Sequence, residues 1–366
     1  MNGGRQAPTS TSKSMAMKIL TISRHFPNAI LHEVWARDPQ VWHSLLAEQG
    51  LSRRILNEPR SRIPMDKYIA LYRRGSAYLR DEAFGFLVHP LKPGTFAIAC
   101  EYAANASDIG GALERLCHFY GIVTEDLALT LHRDGDSNAS VAVRLKDARL
   151  DRFHFITELF LCIAYRLMCW MADQAIPLDR VMLSHTPPRH AAEYIFFFPC
   201  PSRFGIDGPS RLEFDARFLR LPVLKSGNDL RAFAERMPED LLSSTIANDS
   251  FSNQVYLTLQ TGSDDRTLGF AEVARELALS EQTLRRRLRA EASSFQTIKD
   301  DLRRDKAIFL LSTGAHTIAD IAERLAFSSP AAFSRAFKKW TGLPPREYQG
   351  QASDQALLRG GVAPPS

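Results

Sequence analysis

From about Ile30 to Gly85 apolar residues recur three and four positions apart, the period of helices with one buried face. VWHSLLAEQG carries Val41, Trp42, Leu45 and Leu46 on that stripe and stops at Gly50, a residue suited to a helix C-cap. MDKYIALYRRGSAYL repeats the period through Met65, Tyr68, Ile69, Leu71 and Tyr72. GTFAIACEYAA (94–104) alternates and bears aromatics, which predicts a strand. Behind the cap candidates Ser107 and Asp108, Ile109, Leu113, Leu116, Phe119 and Tyr120 form another helical stripe. Two alternating runs in 127–145 flank the turn-rich Asp134–Asn138 and predict a hairpin. Phe153 to Asp173 reads as a long apolar helix ended before Pro177, followed by short strands at 180–184, 193–198 and 211–214. Irregular alternation of this kind predicts a mixed α/β (α+β) domain of about 200 residues.

A boundary is expected between Lys225 and Ser252, where polar breakers surround modest helical runs; beyond it the pattern is all helical. There the chain repeats one design twice. In AEVARELALSEQTLRRRLRAE (271–291), Val273 and Leu277 face Leu284 and Leu288, and Ser280 stands where the second helix needs an N-cap. In TIADIAERLAFSSPAAFSRAFKKW (317–340), Thr317 and Asp320 form a capping box, and Ser329–Pro330 opens a helix whose Phe333, Phe337 and Trp340 turn inward. Ser293 and Gln296 form a further capping box that starts a helix running to about Leu311. A helix of roughly 18 residues spans ~27 Å, near the ~34 Å between successive major grooves on one side of B-DNA. The expected fold is therefore multidomain: the mixed N-terminal domain plus an all-α C-terminal domain with two helix-turn-helix units.

A recognition helix enters the major groove by its N-terminal half and must carry donors that fork onto guanine or amides that pair with adenine. Gln282, Arg285 and Arg286 in the first unit, and Ala332, Ser334 and Arg335 in the second, are the candidate base-reading residues. Arg289, Arg303, Lys338 and Lys339 are candidates for phosphate. A generic helical bundle with solvated basic faces is the competing reading, and the agreement of caps, spacing and outward charge in both units argues against it. A net charge of +5 permits a nucleic-acid partner without requiring one.

The remaining composition narrows the class. Five scattered cysteines without a CxxC pair point to reduced thiols in a cytoplasm. The apolar run Leu159–Ala172 is too short to span a bilayer and contains Arg166, so no membrane segment is expected. His185 and His190 flank a Pro-Pro turn and read as loop histidines rather than a rigid metal site, while His118 and His154 lack an evident carboxylate partner. No GxSxG, HExxH, P-loop or GxGxxG occurs, so neither an enzyme nor a metal or cofactor site is expected. Tyr165, Trp170 and Phe196–Phe198 read as core packing rather than as an effector pocket.

At these residues the chain resembles the AraC/XylS family of transcription regulators over about 252–349. The resemblance rests on Ile318-Ala319, Ile321-Ala322, Leu325, Phe327, Phe333–Lys338, Trp340, Gly342, Pro345 and Tyr348, with Ser280, Leu284, Arg286, Leu288 and Phe295 in the first half. It implies that Gln282, Arg285, Arg286, Ser334 and Arg335 fall where relatives contact DNA. Ala326 and Ala292 depart from it by replacing glycines, and Gln349 stands where Arg often follows the Tyr. A left-handed Ala326 would cost on the order of 1 kcal/mol relative to Gly. The N-terminal part is similar to the arabinose-binding-like domain of ornithine-utilisation and virulence regulators, on Gly85-Phe86, Ala112-Leu113, Leu116, Phe204, Leu212, Phe214, Leu219 and Pro222.

The expected organisation is a disordered leader (1–24), an effector and dimerisation domain (25–228), a linker (229–251), the DNA-binding domain (252–349) and a disordered tail (350–366). The expected function is sequence-specific regulation of transcription, activating or repressing, in response to a small-molecule effector, in a bacterial cytoplasm and on the nucleoid when bound. Double-stranded DNA is the main partner; RNA polymerase, an effector and a second copy of the chain are further candidates. The alternatives are a constitutive DNA-binding regulator and an enzyme with a DNA-targeting tail.

Overall fold

The computed structural model describes residues 21–239, 251–261, 268–291 and 293–349. Strand β1 (Thr21–Ser23) pairs antiparallel with β2 (Arg62–Pro64), with Ile22 opposite Ile63. The expected leader is thus too long by this strand, because Ile22 is drawn into the core; residues 1–20 lie outside the described residues. Between the two strands run α1 (His25–Arg37), α2 (Pro39–Glu48) and α3 (Arg53–Asn57). Asp38 caps α2 by accepting from the amides of Gln40 and Val41, with Pro39 at the first position where no amide hydrogen is needed. Gly50 just past α2 is left-handed at φ +60°, as its C-terminal placement suggests. Helix α4 (Met65–Leu79) follows β2 directly and packs on α1.

The segment 94–104 is a helix, α5 (Thr95–Ala104), and not the expected strand. Thr95, Phe96, Ala99, Cys100 and Ala103 are its buried positions, a helical stripe that short alternation mimics, and its alanines favour the helix. Helix α6 (Ile109–Val123) is capped by Asp108, whose Oδ1 accepts from the Gly111 amide at 2.8 Å.

β3 (Leu127–Asp134) and β4 (Asn138–Leu145) form the expected hairpin. With β5 (Arg180–Leu183), β6 (Ser202–Phe204) and β7 (Ser210–Asp215) they build a five-stranded sheet in the order β3-β4-β7-β5-β6, antiparallel except for β5 and β6. Leu127, Leu129, Val141, Val143, Leu212 and Phe214 are buried, so one face of the sheet takes helices as its cover. The cover is α6 and α7 (Phe155–Met171), the latter buried along nearly its whole length as its all-round apolar sequence requires. Residues 193–198 do not form the expected strand; Tyr194–Phe197 is a short helix, α8, and Tyr194, Phe197 and Phe198 are buried at helical spacing. Helix α9 (Gly227–Glu235) fills the start of the expected linker, with Leu230 and Phe233 buried and α5 as its neighbour. Residues 240–250 and the tail beyond 349 lie outside the described residues.

The described residues of the C-terminal part form α10 (Phe251–Thr261), α11 (Phe270–Glu276), α12 (Glu281–Ala290), α13 (Phe295–Ser312), α14 (Ile318–Arg324) and α15 (Pro330–Thr341), closed by a 3-10 turn at Pro345–Tyr348. The cap of α13 is Ser294, accepting from the Thr297 amide, one residue later than the expected Ser293 box; Gln296 instead reaches Asp300. Ala292 lies outside the described residues.

Helix α13 serves two cores. Ile298 and Leu302 join Phe251, Val255, Leu259, Val273, Leu284 and Leu288 in a small core of their own. Ala307, Ile308 and Leu311 join Ile321, Phe333, Phe337 and Tyr348 in a cluster continuous with the N-terminal core. The second helix-turn-helix unit is therefore packed onto the N-terminal domain, while the first has a separate core. Gly342 ends α15 at φ +78°, and a Cβ there would come within 2.6 Å of Cγ of Glu58. Among the described residues no helix is long and apolar enough to cross a membrane.

Candidate nucleic-acid interface

The two helix-turn-helix units share their backbone plan down to single hydrogen bonds. In the first, the amide of Ala278 donates to the Arg275 carbonyl and that of Leu279 to the Ala274 carbonyl. In the second, Ala326 donates to Glu323 and Phe327 to Ala322. Each is a Schellman ending, and each puts alanine at the left-handed C′ position, φ +53° at Ala278 and +56° at Ala326. The turn that the alanine-for-glycine departure questioned is therefore left-handed, and the strain is present in both units. Ser280 then accepts from the Thr283 amide and Ser329 from the Ala332 amide, opening α12 and α15. Thr317 and Asp320 exchange both bonds of their capping box.

Burial sorts the faces. Leu284 and Leu288 fix α12 inward and leave Gln282, Arg285, Arg286 and Arg289 exposed on the opposite stripe. Phe333 and Phe337 do the same for α15, leaving Ala331, Arg335, Lys338 and Lys339 exposed, with Ala332 and Ser334 half-buried. Two of the arginines are already engaged: the Arg285 guanidinium lies 5.3 Å from the centre of the Phe270 ring and that of Arg303 lies 5.7 Å from Phe327. Such stacking narrows the reach of each side chain. Among the described residues, Arg286 and Arg335 have no such ring contact.

A polar joint seats α13 against the N-terminal domain. Asp305, 6% exposed, accepts from Oγ1 of Thr21 at 2.7 Å and from Nε of Arg304 at 2.9 Å. Arg62 reaches Asp305 at 3.7 Å and Glu193 at 2.7 Å, and its amide donates to the Tyr348 hydroxyl at 3.3 Å. Burial opposes the charge of Arg304, but Asp305 and Asp301 outweigh it and raise its pKa. Arg54 meets Glu347 at 2.6 Å and Arg60 meets the Lys339 carbonyl at 3.1 Å, so the end of α15 is held as well.

Beside this joint lies a cleft of about 460 Å³, lined from the N-terminal side by Arg24, Arg60, Arg62 and Arg189 and from the C-terminal side by Arg304 and Trp340. Its size is that of small-molecule sites. Periodicity could not reveal it, because its arginines come from segments far apart along the chain. His25 and His190 form part of its wall. Their rings stack at 3.7 Å, and His154 stacks on His185 at 4.0 Å, the two pairs flanking Glu158 of α7. Burial, followed by the neighbouring His190, pushes His25 down to about 2, and burial followed by His185 pushes His154 down to about 4. The loop position expected for His190 is thus correct in sequence but wrong in environment, since the side chain is enclosed. Phe197 and Phe198 line a small cavity of about 40 Å³ on the other side of Glu158, whereas Tyr165 and Trp170 pack within the core.

Residues 42–223 match the family model of the arabinose-binding domain of AraC transcription regulators, and residues 273–351 match a helix-turn-helix domain. The ornithine utilization regulator of Pseudomonas aeruginosa is 24% identical over 321 residues, covering 83% of this chain and 93% of that protein. The virulence regulon transcriptional activator VirF of Shigella flexneri is 31% identical over 99 residues, 27% of this chain and 37% of its own. The crystal structure of transcriptional regulator CdpR from P. aeruginosa covers 89% of this chain and 97% of its own at 19% identity, with a TM-score of 0.30.

Proposed function

Because the chain belongs to the AraC family of transcription regulators, we propose that it reads one face of duplex DNA with α12 and α15 in successive major grooves. Gln282, Arg286 and Arg335 address base edges; Arg285, Ala332 and Ser334 complete the base-facing surface. Arg289, Arg303, Lys338 and Lys339 take phosphates and set the register. The observation that carries this reading is the shared plan of the two units, each with the same left-handed turn, a serine cap and an outward guanidinium on its second helix. The 18 residues of α13 set the units ~27 Å apart along the helix axis, which suits neighbouring grooves.

The N-terminal domain, from the first strand to about residue 228, acts as the effector-responsive part, and 252–349 as the DNA-reading part. A small anion in the arginine-lined cleft would touch Arg62 and Arg189 on one side and Arg304 on the other. Its binding therefore biases how the second unit is seated, which is the differential contact that an effector needs. A second copy of the chain would bring two such readers to one operator and raise affinity through effective concentration. The setting is the bacterial cytoplasm, with RNA polymerase as the further partner. Selection of bound duplexes from a random pool by the full chain tests the reading: the expected outcome is a shared sequence with two protected stretches about 10 bp apart on one face. Selected duplexes without common sequence would overturn it.

A further inference from the structure

Among the described residues, Nε2 of His25 and Nε2 of His190, both from the cleft wall, and Oε2 of Glu158 are buried polar atoms without a hydrogen-bond partner. They come from three segments, the start of α1, the first turn of α7 and the loop before α8, and all lie within 4.8 Å of one another. Glu158 is 5% exposed and His190 8%, so water does not freely satisfy them. An isolated buried carboxylate oxygen facing two imidazole nitrogens is costly unless something joins them.

The remaining valences are already arranged. Oε1 of Glu158 accepts the Tyr194 hydroxyl, which turns Oε2 toward the two histidines. The His25 ring hydrogen-bonds the Phe153 backbone, which leaves Nε2 as its free atom. Supports of this kind, a carbonyl behind an imidazole and a hydroxyl behind a carboxylate, hold metal ligands in place. Two imidazoles and one carboxylate are a borderline donor set of the zinc type, with room for a further ligand.

We propose that His25, Glu158 and His190 form a site for one divalent transition-metal ion of the zinc class, its open coordination position facing the interdomain cleft. Ligand atoms about 2.0–2.1 Å from a tetrahedral ion lie roughly 3.3 Å apart. His190 Nε2 and Glu158 Oε2, now 3.8 Å apart, need only a small approach, and His25 on the cleft wall closes the rest. The ion would tie β1–α1 to α7 and to the loop that carries Glu193. These are the segments whose Thr21 and Glu193 hold the α13 joint, directly and through Arg62.

Metal-free, untagged full-length chain titrated with cobalt(II), then competed with zinc(II), tests the site independently of DNA binding. The expected result is one equivalent bound, with d–d absorption of nitrogen and oxygen ligation and no thiolate charge-transfer band. His190→Ala and the near-isosteric Glu158→Gln should each weaken cobalt binding by at least about tenfold, while circular dichroism of the metal-free variants matches the parent. Zinc should raise the melting temperature of the parent and not of His190→Ala. Absence of stoichiometric binding, a thiolate spectrum from the cysteines, or unchanged affinity in a folded variant would each overturn the proposal.

Discussion

Asp305→Ala removes the centre of the joint between α13 and the N-terminal domain. The lost carboxylate accepts from Thr21 at 2.7 Å and from Arg304 at 2.9 Å, and lies 3.7 Å from Arg62. Hydrogen bonds to a charged group contribute about 1.5–3 kcal/mol each, and breaking a buried pair costs about 3–5 kcal/mol when its partner is stranded. Neither arginine is stranded here, since Arg304 keeps Asp301 at 2.7 Å and Arg62 keeps Glu193 at 2.7 Å. The expected destabilisation is therefore about 2–4 kcal/mol, below the sum of the two bonds. Urea unfolding of the full chain, followed by circular dichroism and by limited proteolysis, measures it. A cycle with Thr21→Val isolates the hydroxyl bond and should give a coupling of about 1–2 kcal/mol. A loss under about 1 kcal/mol for Asp305→Ala, or a coupling near zero, would refute the claim that this carboxylate seats the second unit.

Ala326→Gly and Ala278→Gly should each stabilise the chain by about 0.5–1 kcal/mol, because relief of a left-handed alanine exceeds the added freedom of the unfolded glycine; a lower denaturation midpoint in either variant contradicts the strained-turn account. Lys338→Ala, on the exposed face of α15, should weaken binding to specific and random duplexes alike and lower the salt slope by about one, read from affinities over a salt series. A sequence-selective loss would move Lys338 to the base-reading set.

The DNA-reading half is legible in the sequence because its determinants are local. A cap lies three residues from the amide it satisfies, as Ser280 does from Thr283 and Thr317 from Asp320. The left-handed Ala326 follows the same logic, since a turn that favours glycine can be recognised by the residue replacing it. The N-terminal half is legible only where one period dominates. The 127–145 hairpin and the α7 helix have long, clear patterns, whereas 94–104 and 193–198 are short apolar runs in which both periods fit. The cleft and the histidine cluster lie beyond any local pattern. Arg62 meets Asp305, and His25 meets Glu158 and His190, only because β1 and β2 bring the start of the domain against α13 and α7. Spacing along the chain carries no trace of such long closures, so the loop reading of His190 could not foresee its burial.

The central claim, that α12 and α15 read base edges, is tested most directly by the affinities of Arg286→Ala and Arg335→Ala for the selected operator and for random duplex at one salt concentration. Each variant should lose about 1–3 kcal/mol on the operator, roughly 5- to 150-fold, relax preference at one base position, and lose much less on random DNA. Equal losses on operator and random duplex, with base preferences unchanged, would contradict it and reduce both arginines to phosphate contacts.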